Sequence, residues 1–274
     1  VQLYGSNGTD AQIWKVTHDD DGYVTLKNAN SGKALDVSGG SAINGANVQQ
    51  YDSNGTYAQK WVAVKSGNAF KLVSALSPNL VIDVAGGSSE NGANVQIWDS
   101  NDTKAQRWSF SEAKTLRMRI DELAAAHKSD VAEGTYEIAS TAKDSAVLDV
   151  AGASTDNGAN VQLYGSNGTD AQRWKVTIDA KGYATLTNAA SGKVLDISGA
   201  STANGANVQQ YGSNGSWAQK WILKKNANGS ITLISALRES FVVDAAAGGT
   251  TNGTNIQMWS SNGSAAQRWT FVKK

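Results

Sequence analysis

One four-letter pattern, Ala-Gln-x-Trp, recurs at residues 11–14, 58–61, 105–108, 171–174, 218–221 and 266–269. Successive tryptophans lie 47, 47, 66, 47 and 48 residues apart, so two groups of three repeats flank one insertion. Self-similarity at a fixed period marks copies of one supersecondary unit, none of which can bury its apolar face alone. A chain of 274 residues suits one or two domains, and the two triplets favour two.

Each unit reads as four short strands. Between Gly134 and Val176, Tyr136–Ile138 alternates polar and apolar positions and Ala146–Val150 is an apolar run bounded by turn residues. Gly152–Asn160 has loop composition, Asn160–Tyr164 alternates again, Gly165–Gly168 is a turn, and Ala171–Val176 closes the repeat. Three units give about twelve strands per domain, and the single proline, Pro78, scarcely interrupts pairing. An open sheet would leave unpaired edges, so the expected solution is a threefold barrel. The repeated Trp then points inward, and the paired Gln hydrogen-bonds nearby backbone in the core.

With three Gln-x-Trp motifs per triplet at this period, the chain resembles the ricin-type β-trefoil lectins and the related carbohydrate-binding modules of bacterial polysaccharide-degrading enzymes. The resemblance implies an all-β protein of two tandem β-trefoils, residues 1–111 and 134–274, joined by a helical linker over 112–133. It further implies non-catalytic glycan binding and a secreted or cell-surface location. Two other readings stand beside this one: an ancillary part of a larger secreted glycan hydrolase, and a structural or protein-binding spacer of a cell-surface protein. The first trefoil lacks its opening half-repeat, because Val1–Asp10 repeats Val161–Asp170 letter for letter and nothing corresponds to Gly134–Asn160. That material is expected to precede Val1 or to come from another chain by strand exchange.

The insertion has a different texture. Leu116, Ile120, Leu123 and Ala124 form one helical stripe, Ser111 is a candidate N-cap followed by Glu112, and His127 and Lys128 suit the other end of the helix dipole. The spacing predicts a helix of roughly 14 to 16 residues with an Arg117–Asp121 pair, acting as a docked connector or as a partner-binding surface.

A second pattern carries the chemistry. An Asp in the apolar strand is followed fifteen residues later by an aromatic: Asp36 and Tyr51, Asp83 and Trp98, Asp149 and Tyr164, Asp196 and Tyr211, Asp244 and Trp259. A carboxylate accepts paired hydrogen bonds from vicinal sugar hydroxyls, and a ring covers the sugar's C–H face. The resemblance implies that these pairs contact sugar and that the residue three after the Asp contributes backbone; it is Gly39, Gly86, Gly152, Gly199 and, last, Ala247. The first half-repeat has Tyr4 without an Asp. Galactose-binding members carry Asn before the Gln of the motif, whereas this chain has Ala11, Ala58, Ala105, Ala171, Ala218 and Ala266, so one polar contact is missing from every copy and the sugar stays open. Tyr57 and Trp217 flank the pockets or pack on the surface. The competing assignment for each Asp is a turn cap.

The remaining signals exclude more than they assign. Twenty-four basic and twenty-four acidic residues balance, a poor footprint for nucleic acid. There is no cysteine, hence no disulfide framework or thiol chemistry, and no apolar run approaches the roughly 18–20 residues of a membrane span. His18 and His127 assemble no catalytic triad, the acidic turn Asp19–Asp21 reads as a solvated loop rather than a cation site, and no motif calls for a cofactor. Asn7, Asn54, Asn101, Asn167 and Asn214 head Asn-x-Ser/Thr triplets inside the repeated turn, where turn chemistry is their first explanation.

Overall fold

A computed structural model describes residues Val1–Lys274, which divide into two compact units, Val1–Thr115 and Leu116–Lys274. The first holds β1 (Trp14–His18), β2 (Val24–Asn28), β3 (Ala34–Val37), β4 (Val48–Tyr51), β5 (Trp61–Ser66), β6 (Ala69–Ser74), β7 (Leu80–Val84) and β8 (Val95–Asp99). The second opens with helix α1 (Leu116–Ala126), followed by β9 (Gly134–Ser140), β10 (Lys143–Val150), β11 (Val161–Gly165), β12 (Trp174–Ile178), β13 (Ala184–Asn188) and β14 (Val194–Ile197). It ends with β15 (Ala206–Tyr211), β16 (Trp221–Lys225), β17 (Ile231–Ser235), β18 (Phe241–Ala245), β19 (Thr254–Ser260) and β20 (Trp269–Lys273).

The second unit closes its barrel. Antiparallel pairing runs β9–β12–β13–β16–β17–β20 and returns from β20 to β9, so each of these six strands has two neighbours within the ring. The hairpins β10–β11, β14–β15 and β18–β19 cover one end and meet through β19. Inside lie Trp174, Trp221 and Trp269, all fully buried, packed with Leu148, Leu163, Leu186, Leu233 and Met258. Each indole also donates to the carbonyl one residue before a repeated Asp, for example Trp221 Nε1 to Leu195 O at 3.1 Å and Trp174 Nε1 to Leu148 O at 3.2 Å. A buried ring thereby satisfies its one polar atom.

The first unit has the same plan without strands in the places of β9, β10, β11 and β20. Its sheet runs β4–β3–β2–β5–β6–β7–β8 with β1 attached to β2, and the remaining ladders shrink to isolated bridges at Gln2–Asn94, Asn47–Gln96 and Phe70–Trp108. Burial responds at once. Val16 on β1 is 39% exposed where its counterpart Val176 is 0% exposed, and Trp14 and Trp108 are half-buried while Trp61 is 0% exposed.

Helix α1 is shorter than its stripe suggests, 11 residues beginning at Leu116, so Ser111 lies outside it. Ile120 and Ala124 pack against Tyr183, Ile222, Ile234 and Val242 in a separate apolar cluster, and the helix is a docked part of the second unit. The Arg117–Asp121 pairing gives way to a shared partner. Arg117 and Asp121 both bond the Tyr183 hydroxyl, and the Arg117 guanidinium lies 3.6 Å from the Trp217 ring centroid. Burial, reinforced by Asp121, pushes the Tyr183 phenol up to about 12. The acidic turn is likewise committed: Asp19 accepts from Lys60 and from the Tyr23 amide, both at 2.8 Å.

Candidate functional site

The offset of fifteen residues between Asp and aromatic is a hairpin register. In β3–β4, Asp36 stands opposite Gln49 and Ala34 opposite Tyr51, so the carboxylate and the ring project diagonally from one face of the hairpin. The same register holds in the other four hairpins: Asp83 opposite Gln96, Asp149 opposite Gln162, Asp196 opposite Gln209, Asp244 opposite Gln257. The aromatics are the wet half of each pair, with Tyr51 52% exposed and Trp98 40% exposed. The Asp residues are the dry half, at 4–6%.

Four of the five buried carboxylates are held by two glutamine amides, and Asp149 by one. Gln49, Gln96, Gln162, Gln209 and Gln257 donate to one oxygen at 2.8–3.0 Å. The Gln of the Ala-Gln-x-Trp motif donates to the other at 3.0–3.1 Å, from Gln59, Gln106, Gln219 and Gln267. The expected bonds from this Gln to nearby backbone are made, and the carboxylate is an additional partner. Gln219, for instance, also donates to Gly212 O at 3.0 Å and accepts from the Asn214 amide at 2.8 Å, so one side chain ties a loop to the site. Gln172 makes the two backbone bonds and not the one to Asp149.

These partners also displace the turn-cap reading, because the carboxylates accept from side-chain amides rather than from turn backbone. A carboxylate offers about four lone-pair directions, and two amide donors leave about two for a ligand. The turn-capping role falls instead to the motif Asn residues. Asn54 Oδ1 accepts from the Thr56 amide and hydroxyl at 3.1 and 2.8 Å, and Asn7, Asn101 and Asn167 do the same.

After each Asp strand the chain makes a single 3₁₀ turn whose middle residue is left-handed. Gly39, Gly86, Gly152 and Gly199 have φ of 62–65°, and Ala247 adopts 54° in the same place. A left-handed residue with a Cβ costs roughly 1–2 kcal/mol, while glycine gives back part of that gain as unfolded-state entropy. Ala247→Gly is therefore expected to stabilise the second unit by about 0.5–1 kcal/mol in urea unfolding. Unchanged stability would show that the local backbone carries no such strain.

Two pockets bring these parts together. Asp83, Gly86, Gln96, Trp98, Lys104 and Ala105 line one of about 730 Å³; Asp36, Gly39, Gln49, Tyr51, Tyr57 and Ala58 line another of about 630 Å³. Ala105 and Ala58 face the cavities where galactose-binding relatives are implied to carry Asn, so that contact is absent from both. Of the two alternatives for Tyr57, pocket wall and surface packing, both hold: it lines the Asp36 pocket and meets the Tyr23 ring edge-on. Trp217, at the same point of its own repeat, is held by Arg117 on its face and Tyr183 at its edge, the latter with centroids 5.3 Å apart. The five glutamines opposite the aspartates were missed in the sequence, although a Gln two residues before every aromatic was the available signal.

The family profile described as ricin-type beta-trefoil lectin domain-like matches residues 10–98, 58–127, 104–211 and 217–274. No curated protein sequence matches the chain. Among solved structures, a designed threefold-symmetric protein, ThreeFoil, shares 35% identity over 52% of this chain and all of its own, with TM-score 0.50. An exo-β-1,3-galactanase from Clostridium thermocellum shares 17% identity over 96% of this chain and 68% of its own, with TM-score 0.50. A ricin B-like lectin from Macrolepiota procera, solved with lactose, shares 24% identity over 53% of this chain and 99% of its own, with TM-score 0.46. With the profile spanning nearly the whole sequence and the trefoil ring closed in the second unit, the chain belongs to the ricin-type β-trefoil lectin-like family.

Proposed function

We propose that the chain binds glycans without transforming them, using its repeated Asp/aromatic pockets. The observation that carries this reading is a buried carboxylate fixed by two amide donors beside an exposed ring, repeated in register on one hairpin after another. Such a carboxylate is preorganised to accept two hydroxyls, and the ring supplies the apolar contact. A single shallow pocket of this kind holds sugar at about millimolar Kd, roughly −4 kcal/mol. Several on one chain raise avidity on a polysaccharide without any new contact. Action outside the cell follows from the same proposal.

The exposed ring permits a clean test. Trp98→Ala and Tyr211→Ala remove solvent-facing rings, so folding should change by under about 1 kcal/mol. Binding at the affected pocket should fall about tenfold on a glycan array and in titration with the best hit. Retention of full affinity in both variants would sink the lectin reading.

A further inference from the structure

The five hairpins share their Asp, ring and cross-strand glutamine but differ in one neighbouring residue. The residue 21 after each Asp opens the 3₁₀ turn that carries the motif Gln, and it is Tyr57, Lys104, Asp170, Trp217 and Ala265 in turn. Tyr57 and Lys104 line the Asp36 and Asp83 pockets directly. At this one position the repeats offer an aromatic, a cation, an anion, a second aromatic and a methyl.

Resting on the glycan-binding reading above, we propose that this position sets the sugar preference of each pocket and that Lys104 makes the Asp83/Trp98 pocket the site for an acidic sugar. No nearby carboxylate takes Lys104 as its partner. Asp102 pairs with Lys71, Asp99 accepts from Asn44 at 2.7 Å, and Asp83 accepts from Gln96 and Gln106. Lys104 itself is exposed, lines the pocket and forms no ion pair. A sugar whose hydroxyls engage Asp83 and whose ring lies on Trp98 meets an ammonium at the pocket lip, where a carboxylate or sulfate substituent completes the charge. In contrast Asp170, at the same position of the Asp149 repeat, is paired with Arg173 at 2.9 Å and offers no net cation of its own.

The test uses matched probes and site-resolved NMR. Methyl galactoside, galacturonate and galactose 6-sulfate, together with methyl glucoside and glucuronate, are titrated while the amides of Gly86 and Gly39 report the two pockets separately. At low salt an acidic probe should bind the Gly86 site about three- to fivefold more tightly than its neutral partner, the gain of one exposed ion pair, and the preference should fade at high salt. Galacturonate against galactose 6-sulfate tells which anionic group fits. Lys104→Ala should abolish the preference at Gly86 and leave the Gly39 response unchanged; Lys104→Glu should invert it. Equal binding of acidic and neutral partners, or a preference that survives Lys104→Ala, overturns the assignment while the glycan-binding reading stands. If no probe moves any pocket glycine, both fall together.

Discussion

Gly182→Ala is expected to detach helix α1 and to destabilise the second unit by at least about 3 kcal/mol. Gly182 sits in the turn between β12 and β13 at φ +97°, and a Cβ there would lie 2.2 Å from the Ala124 carbonyl oxygen and 2.7 Å from its carbon. Those atoms are helix backbone, so no side-chain rotation relieves the overlap. The left-handed backbone adds roughly 1–2 kcal/mol, and losing the helix exposes Ile120, a buried side chain worth about 1.5–3 kcal/mol. Gly22 provides the control within the same molecule. It occupies the corresponding turn before β2 at φ +85° with nothing within 4 Å of its Cβ position, so Gly22→Ala should cost only the backbone term. Hydrogen exchange at residues 120–126 together with urea unfolding separates the outcomes. Protection of the helix amides equal in wild type and Gly182→Ala would refute the docking account.

The second large effect falls on the motif glutamine. Gln219→Leu keeps the volume and removes three hydrogen bonds, one of them to the carboxylate of Asp196 at 3.0 Å. A bond to a charged partner contributes about 1.5–3 kcal/mol and each neutral one about 1, so unfolding should become easier by about 3.5–5 kcal/mol. The same change frees the Asp196 carboxylate to rotate, and sugar binding at Tyr211 should weaken at least tenfold while the Asp36 and Asp83 pockets keep theirs. Gln172→Leu is the matched comparison. Without a bond to Asp149, it should lose only the two backbone bonds and distinctly less stability. Equal losses at Gln219 and Gln172 would mean that the carboxylate contact contributes nothing.

Much of this architecture was legible because the repeat period is a physical constraint rather than a local preference. Tyr136–Ile138, Ala146–Val150, Asn160–Tyr164 and Ala171–Val176 all fall within or across strands, since alternation over four or five residues survives in a half-buried hairpin. The pockets were legible in their outer parts for the same reason: Asp and ring lie two residues apart in register, which shows as a constant offset. Their inner part was not. A Gln pointing at a carboxylate across a hairpin and another reaching it from a 3₁₀ turn are long-range contacts, separated in the Asp196 site by 13 and 23 residues, and neither leaves a mark in local hydropathy. The helix end was misplaced because a stripe of Leu116, Ile120, Leu123 and Ala124 fixes a face but not a boundary, and the helix begins at Leu116, beyond the candidate cap at Ser111.

The Asp–Gln link has a consequence for how such repeats diverge after duplication. In four of the copies the carboxylate is a partner that a core glutamine needs for folding, so a copy that stops binding sugar still has reason to keep its Asp. Retention of the acid therefore reports the integrity of the scaffold. Whether a copy is a working receptor is written in the residues that folding leaves idle, the exposed ring and the wall at the 3₁₀ turn, and these are the positions where drift can turn five equal pockets into five different ones.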